Sequence, residues 1–299
     1  METNPNPNEH ATPRPHETLF LRRMAHWGAS RGPEWWLRLS PPFFGWAAAA
    51  LVPSARRAVV RNLRRIRGPA PIAREAKDVL ATFGTYASCL AEVLSNDAAA
   101  GPRVPEATIY GERFMQDVVE AKRGVVLVTA HTAGWESVGP LLSRDYHLDV
   151  MLVMQEEPDA RARAIHDAAR QRAGVKIAHV GDPLASLGLL RHLREGGAVA
   201  LQLDRFAPGM RTRRVSLLDR DGEIPEGPLR LAQLSGAPML PVFCARTGFR
   251  RYIVDIGPPE HVPRNASDED LDASAQRIAE RMTGFLRAHP TQWFDFSDG

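Results

Sequence analysis

Apolar residues follow two regimes along this chain. Up to about residue 105 they recur at helical spacing. Residues 19–39 read as a helix interrupted near Gly32-Pro33. Residues 54–68 set Val59, Val60, Leu63 and Ile66 in one stripe beneath Arg56, Arg57, Arg61, Arg64, Arg65 and Arg67, with Ser54 as the expected N-cap. Residues 75–94 align Val79, Phe83, Tyr86, Leu90 and Val93 on one side. From Ala107 short, uniformly apolar runs alternate with amphipathic stretches. Strands are predicted at 125–128, 148–154, 175–180, 198–203, 239–245 and 252–256. Helices are predicted after His131, at 158–172, at 184–194 behind Asp182 and Pro183, at 227–234, and from the acidic start at 267–270 to about 288. This alternation predicts an α/β fold: a mostly parallel central sheet flanked by helices, preceded by an all-helical region. Residues 1–16, rich in Pro and Asn, read as a disordered tail, and 17–299 as one domain divided into a helical part (17–105) and an α/β core (106–299).

Composition narrows the class. A hydrophobic share of 44% with 24% charged residues is that of a soluble globular chain, and 299 residues suffice for a large core. Lysine is confined to Lys77, Lys122 and Lys176, so the basic residues are almost all arginine. Arginine suits bidentate phosphate binding, although a high total also follows from genomic base composition. Basicity without aromatics interleaved through it argues against a nucleic-acid partner. Cys89 and Cys244 lie in apolar surroundings, and neither Cys-x-x-Cys nor His-x-x-x-His occurs, so neither a disulfide nor a metal site is expected. The start of the chain lacks the apolar run of a signal peptide. The longest uncharged stretch, 39–55, contains three prolines and falls short of the ~20 apolar residues of a spanning helix. Trp35, Trp36, Phe43, Phe44 and Trp46 concentrate around it, as in a membrane-interface segment or a packed core helix.

Candidate chemistry gathers at two predicted strand ends. The strand at 125–128 leads to His131, then Gly134, Trp135 and Glu136 at the start of a helix. Open α/β sheets bind their ligands at that carboxyl edge. A carboxylate from Glu136 on one ring nitrogen would leave the other free to take a proton; the alternative is a turn histidine beside an unrelated acid. The strand at 198–203 ends at Asp204-Arg205 on the same edge, able to orient an acceptor or hold a phosphate, or simply to pair with one another. Arg170 and Arg172 are further candidates for anion contacts. Phosphate loops and Gly-x-Ser-x-Gly are absent from the sequence.

His131-Thr-Ala-Gly-Trp-Glu136 resembles the His-x4-Glu/Asp motif of glycerolipid acyltransferases. In particular it is similar to the late acyltransferases of lipid A biosynthesis and the related phosphatidylinositol mannoside acyltransferases. Further segments occur in that family's order: Arg56-Arg57 with Asn62-Leu63, Tyr86 with Glu92, Leu203-Asp204-Arg205, Pro225-Glu-Gly-Pro228, Gly236-Ala-Pro238, and His289-Pro-Thr-Gln-Trp293-Phe294. The resemblance implies transfer of a fatty acyl group from acyl-CoA or acyl carrier protein, as co-substrate, to a hydroxyl of a lipid or glycolipid at a membrane surface. It implies no cofactor or metal and no covalent enzyme intermediate. His131 would be the general base and Glu136 its orienting acid. Amides near the start of the following helix would hold the oxyanion, with Asp204, Arg205, Arg172 and Trp135 around the substrates and an apolar slot beside them. The sequence departs from the family's usual pattern in the polar segment 217–222 and in the ending Asp295-Phe-Ser-Asp-Gly299. This leaves the acceptor open: a lipid A-like glycolipid, a phosphoglycolipid, or a hydroxyl or amine of a specialised metabolite. The resemblance places the protein among peripheral members on the cytoplasmic membrane face. The same His–Glu pair could also serve a thioesterase, and the same fold a non-catalytic membrane- or carrier-binding protein.

Overall fold

A computed structural model of the chain describes Gly28 and residues 32–95, 105–155, 176–180, 183–206 and 209–297. The helical region holds α1 (Glu34–Leu39), α2 (Pro41–Leu51), α3 (Pro53–Arg67) and α4 (Ile72–Ser95). Prolines open α2 and α3, where a missing N–H costs nothing. For that reason Ser54, the expected cap, lies inside the first turn of α3, behind Val52, and caps nothing. Arg64 grips Glu75 through two bonds of 2.7 and 2.8 Å, and Arg67 pairs with Asp78, which clips α3 to α4. Ala49, Val59, Leu63, Val79 and Phe83 form the small core between these helices. Gly45 lets α2 approach α4 closely, because a Cβ there would stand 2.3 Å from the Phe83 carbonyl oxygen.

The α/β part runs β1 (Glu106–Tyr110), α5 (Glu112–Glu120), β2 (Val125–Thr129), α6 (Trp135–Tyr146), β3 (Val150–Gln155) and β4 (Lys176–Val180). It continues through α7 (Pro183–Arg194), β5 (Ala198–Gln202), β6 (Thr212–Leu217), β7 (Arg220–Pro225), α8 (Gly227–Ser235), β8 (Met239–Gly248), β9 (Arg251–Ile256) and α9 (Asp268–Ala288). Seven strands form one sheet in the order β1-β9-β8-β2-β5-β3-β4, parallel throughout except between β8 and β9. The predicted α/β architecture is thus the observed one. The predicted helix at 158–172 lies outside the described residues.

Three stretches went unread in the sequence: β1, α5 and the hairpin of β6 and β7, whose strands are half-exposed and mostly polar. Leu218 and Asp219 turn it with φ of 56° and 59°, the two positive values a tight two-residue turn requires. The polar segment 217–222 is therefore the hairpin tip. The long helix α9 starts as expected, with Ser267 and Asp270 closing a reciprocal capping box.

Each face of the sheet buries its own core. On one face Val125, Leu127, Ala198, Ala200 and Leu152 pack with Leu141 and Leu142 of α6. On the other, Val126, Val128 and Val199 pack with Leu229 of α8 and with Ile278, Met282 and Phe285 of α9. The helix after β2 thus covers one face, and the helix that follows the neighbouring β5 and its hairpin covers the other. The gap between two such connections is where open sheets make their crevice.

Candidate active site

His131 leaves β2 at the carboxyl edge of the sheet, with its side chain 21% exposed. Thr129 pairs with Gln202 in the parallel register of β2 and β5, so the residues just beyond the two strands also meet. Asp204 is the result of that register. Its side chain is wholly buried, and Oδ1 lies 2.9 Å from Nδ1 of His131. Both carboxylate oxygens accept the His131 backbone N–H at 3.1 Å, and Oδ2 accepts the indole N–H of Trp293 at 2.8 Å. Burial pushes the Asp204 carboxyl up, but the imidazole's charge and hydrogen bond, the Trp293 bond and the Arg205 charge outweigh it and hold the group below its ordinary value. An ionised carboxylate only accepts, so the proton on the ring belongs on Nδ1 and the Nε2 lone pair is left free.

The carboxylate against the ring is therefore not the one expected. Sequence spacing gave that bond to Glu136 and placed Asp204 against the substrate. Among the described residues, the carboxylate bonded to the His131 ring is that of Asp204, and its burial keeps it from a bound ligand. Glu136 stands half-buried in the first turn of α6. Trp135, just before it, sets its ring edge-on to the imidazole with centroids 6.0 Å apart. Arg205 donates to the Phe294 carbonyl, and its Nε lies 3.6 Å from Asp295, so it fastens the end of the chain while its side chain stays 40% exposed at the rim. Arg170 and Arg172 lie outside the described residues.

The loop 131–134 is held from two sides. Phe294 donates to the His131 carbonyl at 2.8 Å and Ala133 donates to Gln292 at 3.0 Å, while Thr132 bridges Trp293. On the other side Gly134 lies flat on the ring of Tyr252 at φ +92°; a Cβ there would come within 2.3 Å of that ring, so only glycine fits. Tyr252 in turn donates to the buried Glu92 of α4 at 2.5 Å, and Glu92 also accepts two bonds of 2.9 and 2.7 Å from Arg246. Phe294 and Phe296 meet the ring of Tyr86 edge-on, and Phe296 packs at a tilt against Phe83 of the same helix. The helical region and the last residues thus brace the loop 131–134 together. Trp293 and Gln292 were visible in the sequence only as part of a family segment.

The amides of the loop are largely spoken for: those of His131, Thr132 and Ala133 donate to Asp204, Ala130 and Gln292. The first turn of α6 carries no side-chain cap. Under α6, beside Trp135, a narrow apolar cleft of about 40 Å³ runs between Leu142, Leu127, Leu152, Ala200 and Cys244. Its size falls short of the expected slot, being room for about one methylene or one water. Both cysteines are buried; burial pushes the Cys89 thiol up to about 12 and the Cys244 thiol higher still, so neither is a nucleophile at neutral pH.

A family model described as bacterial lipid A biosynthesis acyltransferase matches residues 13–297. The chain belongs to this family. It is 25% identical over 243 residues to a phosphatidylinositol mannoside acyltransferase of Mycolicibacterium smegmatis, covering 78% of this chain and 75% of that protein. Proteins with the same name from two strains of Mycobacterium tuberculosis, CDC 1551 / Oshkosh and H37Rv, are each 24% identical over 241 residues, covering 78% of this chain and 73% of theirs. The protein is accordingly an O-acyltransferase acting on lipid, and the His–Asp arrangement at the sheet edge is read in that light.

Proposed function

We propose that the protein moves a fatty acyl group from acyl-CoA or acyl carrier protein to a hydroxyl of a lipid or glycolipid, with His131 as general base. The observation that carries this reading is an imidazole whose Nδ1 is fixed by a buried carboxylate, beside an apolar cleft. Nε2 of His131 takes the proton of the acceptor hydroxyl as its oxygen attacks the thioester carbonyl. The tetrahedral oxyanion is held by amides of the first turn of α6. Collapse breaks the C–S bond, and the departing thiolate takes the proton from the imidazolium. Glu136, on the same turn, adds a negative charge that favours the imidazolium. Seating a chain requires α6 to move outward, and Pro140 within it cannot donate to the carbonyl one turn earlier, which weakens the helix at that point.

The acceptor is met at a membrane surface. Among the described residues no helix is long and apolar enough to cross a membrane. The outer surface of α1 and α2 instead exposes Trp35, Phe43 and Phe44 by 63%, 61% and 62%, with Arg38, Arg56 and Arg57 close in sequence. Aromatic rings beside cations suit the interface of an anionic bilayer. The basic surface of α3 suits the acidic parts of either donor.

The test combines acyl thioesters with lipid extract in vesicles, following free thiol and lipid mass. Acceptor-dependent thiol release with an acyl-sized mass increment is expected; release that ignores the acceptor would make the enzyme a thioesterase. In the same system Phe43→Ser with Phe44→Ser should abolish cosedimentation with anionic vesicles while leaving thermal unfolding unchanged. Undiminished cosedimentation would remove the aromatic surface from the reading.

A further inference from the structure

The lining of the cleft under α6 is apolar apart from Thr129 and Gln202. Gln202 closes β5 and lines the cleft with Thr129, its register partner, and Trp135. Its amide Nε2 is buried and makes no hydrogen bond. Leaving a buried donor unpaired is unfavourable, so such groups call for an explanation. Other orphaned side-chain atoms exist, such as Nε of Arg65 and of Arg67, but Gln202 is the one among them that lines this cleft.

Position says what Gln202 faces. Side chains alternate along a strand, so residues 200 and 202 rise from the same face of β5, and Asp204 follows two residues past its end. Ala200 belongs to the apolar floor and Asp204 holds the imidazole. Gln202 lies between them in the chain, two residues before the acid. Thr129 stands in the same relation to His131 on β2. Once α6 has moved outward, an acyl group whose carbonyl lies beside Nε2 of His131 and whose chain enters the cleft passes Gln202 within its first few carbons. A plain hydrocarbon there would leave the amide unpaired. Oxygen on the acyl group would satisfy it.

We infer that Gln202 is a donor-binding residue that hydrogen-bonds an oxygen of the acyl group close to the thioester, either the thioester carbonyl or a hydroxyl on the third carbon. This rests on the acyltransferase reading above and adds to it the kind of acyl group selected. Thr129, Leu127 and Cys244 supply the shape of the cleft, and Gln202 supplies its polarity.

Binding to the full chain is measured with three pantetheine conjugates, since pantetheine is the part common to CoA and carrier protein. They are the dodecyl thioether, the dodecanoyl thioester and the 3-hydroxydodecanoyl thioester. The wild-type protein should bind an oxygen-bearing conjugate about 5- to 100-fold more tightly than the thioether, the range expected for pairing one buried donor. If the gain appears between thioether and plain thioester, the carbonyl is the partner; if it appears only with the 3-hydroxyl, that group is. Gln202→Met, close in shape but without the donor, should erase the preference, and Gln202→Leu serves as a second variant should the first unfold. Equal affinities for all three in the wild type, or a preference that survives both substitutions, overturns the inference. Acceptor-dependent transfer is assayed on the same samples. A protein that transfers acyl groups without the preference refutes the role of Gln202 alone, whereas one that neither binds nor transfers refutes the acyltransferase mechanism beneath it.

Discussion

His131→Ala lowers the acceptor-dependent turnover by about 10²- to 10⁴-fold, the range a positioned general base contributes. The loss falls on kcat, because the imidazole acts on the hydroxyl proton rather than on the acyl chain in the cleft. Some stability is lost as well, because the imidazole is the chief partner that holds the buried Asp204 carboxylate below its ordinary value. The loop itself stays in place, since the bonds that fix it to Phe294 and Gln292 are made by its backbone. The control is therefore a thermal unfolding curve showing the variant folded at the assay temperature, with thiol release followed at saturating donor. Because the His131 N–H still reaches Asp204 in the variant, the carboxylate keeps partners and the site does not collapse. Turnover within about threefold of wild type would remove His131 as base, since even the low end of the general-base range exceeds that by far.

How far the sequence foretold this site depends on the kind of link each feature needs. The strand at Val125–Thr129 was legible because a run of branched residues buried on both faces has few alternatives, and the ligand edge of the sheet followed from it. Local order could not show which strands become neighbours. Asp204 lies 73 positions from His131, and they meet only because β5 pairs with β2 in the register Thr129↔Gln202. Glu136 is close in sequence, and that proximity drew the orienting role to it. The hairpin at Thr212–Pro225 escaped notice for a different reason. Arg, Asp and Glu break its alternation, and its tight turn is made by Leu218 and Asp219 rather than by the usual Asn-Gly. At Ser54 two local rules competed, and Pro53 at the first helical position won over a side-chain cap. Trp293 could not be ranked from its own surroundings, since its indole N–H finds Asp204 across 89 positions of chain.

Asp204→Asn is the substitution that separates the two acids. A neutral amide at this buried point cannot both accept from Nδ1 and balance the imidazolium, so the ring loses its fixed tautomer. A fall in kcat of about 10²- to 10⁴-fold is expected, of the order seen when such a carboxylate is neutralised elsewhere. Glu136→Gln, which removes a half-exposed charge, should cost about tenfold or less, as a charge in a partly solvated setting contributes on the order of 1 kcal/mol. Stability against pH gives an independent check. The folded-state pKa of Asp204 is depressed, since the imidazole and Trp293 outweigh burial. Its ionised form therefore stabilises the fold above the ordinary aspartate value of about 3.9, and that contribution drains away as pH falls through the folded value. Urea midpoints of wild type and Asp204→Asn should thus differ most near neutrality and converge below about pH 4. A constant gap at every pH would mean the carboxylate's charge is not what holds His131. Equal kcat losses for Asp204→Asn and Glu136→Gln would mean that the two acids share the imidazole.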